Sequence, residues 1–113
     1  MNEPGKICSG DVVIVSFPFS DLSDSKRRPA VVLVELEGED IILCQISSQR
    51  KVDKYAVPLH SEDFIYGQLF QESLVRTNKL FTLNRGLILY KVGVLREERF
   101  RSISSSVRAL FSP

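Results

Sequence analysis

A mainly β fold closed by one C-terminal amphipathic helix is what this sequence predicts, on three observations. Short apolar runs rich in β-branched residues recur at Val12–Phe17, Ala30–Val34 and Ile41–Ile46, each bounded by polar or glycine-containing breaks. Strand-like stretches continue to Val94. From Arg96 the apolar period lengthens, so that Phe100, Ile103, Val107, Leu110 and Phe111 fall at helical spacing. A chain of 113 residues that is 43% hydrophobic has room for a real core, and a single domain over residues 1–113 is expected.

Taken in order, Met1 to Gly10 is a polar lead-in that turns at Gly10-Asp11 into a first strand, Val12–Phe17, apolar on both alternating faces. Pro18 to Arg27 follows as a long Ser- and Asp-rich loop, and loops of that length often carry function. Its basic end, Lys26-Arg27-Arg28-Pro29, leads into Ala30–Val34, an unbroken apolar run that reads as a central strand buried on both faces. Pro29 suits the first position of that strand, where its missing N–H costs no ladder bond. It also pushes Arg28 into extended backbone, which holds a long cation stiffly at the rim of the core.

Glu37-Gly38-Glu39-Asp40 is a turn, so the second and third strands form a hairpin with a loop of two residues (Gly38-Glu39) or four (Glu37 to Asp40). Either length sets Leu36 opposite Ile41 and Ala30 opposite Ser47. Side chains alternate, so Arg28 and Ser47 share a face as diagonal neighbours, about 7–8 Å apart. A bulge or a one-residue slip would separate them onto opposite faces.

Ser48 to Asp53 is a second polar loop, and Lys54–Leu59 reads as an edge strand because Pro58 cannot donate to a ladder. Ser61 to Gln71 is expected to be a loop with at most one helical turn, since Gly67 interrupts any helix begun at Ser61. Ser73–Thr77 and Lys79–Thr82 are strand, with their continuity left open. An Asn84-Arg85-Gly86 turn and a strand over Leu87–Val94 follow, and Glu97-Glu98 suits the positive end of the final helix.

A formal charge of +1, from 15 basic and 14 acidic side chains, excludes a broad polycation, so any anion binding must be local. The charges are segregated. Acids gather at Glu35 to Asp40, Glu62-Asp63 and Glu97-Glu98, and bases at Lys26 to Arg28, Arg50-Lys51, Lys54, Arg76, Lys79 and Arg85, which permits a basic face on a neutral protein. Cys8 and Cys44 lie far apart and no disulfide is expected; with one histidine, a His-based metal cluster is excluded. No apolar leader or span is evident, and the expected compartment is the cytoplasm.

Gly10-Asp11-Val12-Val13-Ile14-Val15, a phenylalanine-containing loop, Arg27-Arg28-Pro29-Ala30-Val31-Val32-Leu33 and a second strand from Ile41 to Ser48 ending in hydroxyls together resemble the MazF/PemK toxins of bacterial type II toxin–antitoxin systems. Ser73 to Leu83 resembles a segment of the PemK-like branch, and the likeness covers nearly the whole chain. It implies an SH3-like bent β-barrel, a homodimer, and an endoribonuclease that cuts single-stranded RNA, often mRNA, with no metal or other cofactor. A cognate antitoxin silences such toxins, by analogy laying an acidic, partly disordered segment over the basic face.

In the family, an arginine before the proline and a threonine ending the next strand carry catalysis; these positions match Arg28 and Ser47. The expected substrate-binding set is Phe19, Lys26, Arg27, Ser48, Gln49, Arg76, Asn78 and Lys79. An arginine side chain stays protonated, which suits Arg28 to stabilising the pentacoordinate phosphorus or to general acid work and not to general base work. Two departures stand out. Ser47 lacks the threonine methyl that stiffens the rotamer, and Asn78 stands where relatives often carry an aspartate proposed as acid/base partner to the arginine matching Arg76. Each pick has an ordinary structural counterpart: Lys26-Arg27-Arg28 as a solvated loop, Ser47 as a strand-end hydroxyl, Arg76 as an ion-pair partner, Phe17, Phe100 and Phe111 as core, His60 as surface.

The resemblance therefore leaves two functional expectations. One is the RNA-cutting toxin. The other is a weak or inactive relative acting as a binding module, toward an antitoxin or as a protein poison in the manner of the similar-fold CcdB toxins, and Asn78 is the feature that favours it.

Overall fold

Seven strands and one α-helix organise the described residues of this computed structural model, which are 6–17, 26–49 and 51–112. The strands are β1 (Asp11–Phe17), β2 (Lys26–Glu35), β3 (Asp40–Ser47), β4 (Ala56–Leu59), β5 (Phe64–Gly67), β6 (Ser73–Asn84) and β7 (Ile88–Leu95), and α1 spans Glu97–Ala109. They form one curled antiparallel sheet in the order β4-β6-β3-β2-β1-β7-β5. The mainly β expectation with a terminal helix holds. β2 lies in the middle of the order, and Ala30, Val31 and Val32 are each 0% exposed, as a run apolar on both faces requires. β4 is an edge, the position that Pro58 tolerates.

The two faces of the sheet bury separate clusters. On one, Val12, Val31, Cys44, Ile46, Val75 and Leu95 pack with Ile103 of α1, which closes the bend. On the other, Val13, Val15, Ala30, Val32, Ile41 and Leu43 pack with Ile7 and Leu83. Burial pushes the Cys44 thiol up to about 12, so this cysteine serves as a small core hydrophobe. Among the described residues no helix is long and apolar enough to cross a membrane.

Three expectations need correction. The hairpin loop has three residues, Glu37-Gly38-Glu39, closed by Leu36 N–H donating to the Asp40 carbonyl at 3.0 Å with Gly38 at φ 78°; the predicted lengths were two or four. Ser61 to Gln71 holds more than a loop: after a 3₁₀ turn at Ser61–Asp63, Phe64–Gly67 pairs with β7 as the short strand β5. The reason is close backbone approach, since Gly67 (φ 81°) faces Gly93, and a Cβ on Gly67 would lie 2.0 Å from the Val92 carbonyl oxygen. Phe111 lies past the end of α1 and is 72% exposed, so the core stripe ends before it.

Candidate active site

The hairpin register decides whether Arg28 and Ser47 meet. Near the turn, the odd loop pairs Glu35 with Ile41, one residue off the centred expectation. Leu33 is then the extra residue of a β-bulge, because Val34 pairs with Ile42 while Val32 pairs with Leu43. The two shifts add. Beyond the bulge Ala30 faces Gln45, where Ser47 was expected, and continuing that ladder two residues sets Arg28 across from Ser47. Parity is restored by a shift of two, so the continued register keeps the pair on one face of the sheet, although the β2/β3 ladder itself ends at Ala30 and Gln45.

Both side chains are half-buried at the open end of the sheet. Arg28 pairs with Val15 of β1 on its other side, and its Nε is shielded from solvent. Ser47 Oγ accepts the Gln49 N–H at 3.1 Å. That local bond fixes the hydroxyl in place of the missing threonine methyl and leaves its proton free to donate outward.

Of the remaining candidates, Lys26 and Arg27 are exposed at the start of β2, where they pair with Phe17 and Ser16 of β1. Ser48 and Gln49 are exposed just past β3. These four surround the Arg28/Ser47 pair. Arg76 is different: only 6% exposed, it sits across β3 from Gln45 and its Nη1 pairs with Asp53 Oδ2 at 3.4 Å. Thr77, Asn78 and Lys79 loop out between the Cys44–Leu80 and Gln45–Arg76 pairs; Thr77 anchors the bulge by donating N–H and Oγ1 to the Tyr55 carbonyl at 3.1 and 2.7 Å, and Asn78 and Lys79 are exposed on it. Phe19 lies outside the described residues, as does the side chain of Phe17.

Two residues that sequence reasoning passed over complete the setting. Asp53 accepts the Tyr55 N–H at 3.0 Å through Oδ1 while its other oxygen holds Arg76; an Asp three residues before a strand was the available sign of such an Asx turn. Phe70 forms a wall of a cleft of about 320 Å³ that Arg27, Arg28, Ile46 and Ser48 also line. It fell in the stretch read as loop.

The geometry thus places forked cationic donors, a hydroxyl with a free proton and flanking exposed bases at one rim, an arrangement suited to an oxyanion of phosphorus. Residues 9–111 match the family model described as the PemK-like, MazF-like toxin of type II toxin–antitoxin systems. The chain belongs to that family. Solved structures of similar fold include an endoribonuclease in complex with its cognate antitoxin from a mycobacterial species (13% identity, 96% of this chain and 98% of that one covered, TM-score 0.74). MazF from Deinococcus radiodurans (18%, 95% and 97%, 0.74) and the Mycobacterium tuberculosis toxin MazF-mt6 (15%, 88% and 96%, 0.67) are alike in the same way. At these identities the likeness is one of fold. A search among curated proteins found no match.

Proposed function

We propose that this toxin is a metal-independent endoribonuclease of single-stranded RNA, using Arg28 and Ser47 on the scissile phosphate. The 2′-oxygen attacks phosphorus, its proton leaves to solvent, the bond to O5′ breaks, and O5′ takes up a proton, giving a 2′,3′-cyclic phosphate and a 5′-OH. Charge accumulates on the non-bridging oxygens of the pentacoordinate state. Arg28 meets it with two parallel donors and Ser47 with a third, so binding is tighter there than in the ground state. Lys26 and Arg27 would hold neighbouring phosphates. The β2/β3 register, which when continued past Ala30 and Gln45 keeps Arg28 and Ser47 on one face, supports this reading. Two copies and a cognate antitoxin complete it; an acidic antitoxin segment across the basic rim would lose affinity as salt rises, and an affinity equal at 50 mM and 500 mM salt counts against that cover.

The test is incubation of the purified protein with mixed RNA in EDTA. Cyclic-phosphate ends that disappear in Arg28→Ala support the reading. RNA left intact at high protein excess favours the second one, a binding module without cleavage, for which Asn78 is the motivating feature because an amide can hydrogen-bond but takes no proton.

A further inference from the structure

Gln68 to Glu72 connects β5 to β6 and walls the cleft beside Arg27. Leu69 is half-buried and packs on the first core cluster, which anchors the connection. Its far end is fixed where Ser73 Oγ donates to the Gln71 carbonyl at 2.9 Å. Phe70, next to the anchor, therefore faces outward and is 98% exposed, the highest value among the large hydrophobic residues described.

The ring separates two unlike clefts. On one side lie Arg27, Arg28 and Ser48; on the other, a cleft of about 340 Å³ carries Glu62 and Glu72. A polyanion is drawn to the first side and repelled from the second. At about 320 Å³ the basic cleft is at the small end of ligand pockets. A flat apolar ring, guanidinium groups and a hydroxyl at that scale complement one nucleotide: base on ring, phosphate on cation, base edge or ribose on hydroxyl.

We infer that Phe70 is a stacking platform for an unpaired nucleobase whose phosphate meets Arg27 or Arg28, and so helps determine which base the toxin accepts there. The inference rests on the proposed RNA-cutting function, and its test separates the two. The chain has no tryptophan, so Phe70→Trp introduces a single indole whose emission reports stacking. The probe is mixed-sequence single-stranded RNA carrying 2′-O-methyl groups, which cannot be cut. It should quench the indole at saturation. With cleavable RNA, Phe70→Ala should raise KM roughly 5- to 150-fold, the range of base-on-ring stacking, and by more than it lowers kcat, with melting unchanged. Phe70→Tyr should stay within about threefold of the parent.

Quenching without cleavage by the parent protein sustains the platform and sinks the nuclease reading. Cleavage by the parent, with no quenching and a Phe70→Ala KM within about twofold, overturns the platform alone. A Phe70→Ala defect confined to self-association in sedimentation, or to antitoxin binding, with KM unchanged, also overturns it. Neither quenching nor cleavage overturns both.

Discussion

Replacing Ser47 with alanine separates a catalytic hydroxyl from a structural one. The substitution removes two interactions, the acceptance of the Gln49 N–H at 3.1 Å and the proposed donation to phosphorus oxygens. The first is cheap to lose. Gln49 is exposed, so its freed N–H turns to water and stability should change by less than about 0.5 kcal/mol. The second loss falls on the transition state. A donor in a fully dry oxyanion site is worth about 10²–10³ in rate, but Ser47 is only half-buried, so the smaller worth of a hydrogen bond to a charged group, about 1.5–3 kcal/mol, applies. The expected result is a kcat lower by about 10- to 150-fold at an unchanged urea midpoint, with Ser47→Thr within about threefold of the parent because it keeps the hydroxyl. Steady-state cleavage of a fluorogenic RNA, paired with urea melts, measures both. A catalytic role for Ser47 is refuted if Ser47→Ala cuts within twofold of the parent while Arg28→Ala is dead, or if its kcat and stability fall together.

Other predictions concern the frame around the site. Asp11, 3% exposed, is held by the Cys8 N–H at 2.8 Å and by Lys91 Nζ at 3.2 Å. Burial alone would lower the Lys91 pKa, but the Asp11 carboxylate and Tyr66 outweigh it and the net shift is upward. Its contribution is thus complete below the ordinary lysine value of about 10.4 and is lost as pH rises through the folded value; Lys91→Met should be about 2–3 kcal/mol less stable at pH 7, with a gap that closes in alkali. A gap constant to pH 11.5 in urea melts would refute the assignment. Gly67→Ala should cost about 3 kcal/mol or more, against about 1–2 for Gly38→Ala, because both have positive φ but only Gly67 meets backbone; equal melting temperatures for the two would contradict this. Asp53→Ala strands the buried Arg76, yet Asp53's side chain is 37% exposed and the pair is 3.4 Å long, so about 1–2 kcal/mol is expected, less than a fully buried pair; an unchanged urea midpoint would show that Arg76 does not depend on it.

Most strands were legible because burial on both faces leaves a plain mark: Val12–Phe17, Ala30–Val34 and Ile41–Ile46 have few polar interruptions. β5 was not, since Phe64-Ile65-Tyr66-Gly67 is a short edge strand whose pairing depends on a distant glycine, Gly93, allowing close backbone approach. The register read from sequence is off by two residues, and because side-chain alternation has a period of two, the observed register continued past Ala30 still keeps Arg28 and Ser47 on one face. A loop of three residues or the Leu33 bulge alone would have put the two groups on opposite faces.

Composition and local pattern alone determined that this chain is mainly β, that its centre is the apolar strand after Pro29, that a helix follows Arg96, and that its cations cluster before that proline. Those features depend on a residue and its near neighbours. Tertiary structure decided the rest: the register across β2 and β3, the pairing of Arg76 with Asp53 from 23 positions away, and the exposure of Phe70 beside Arg27. Each depends on where two distant stretches come to lie, and bulges, loop lengths and backbone contacts set that only when the whole sheet has closed.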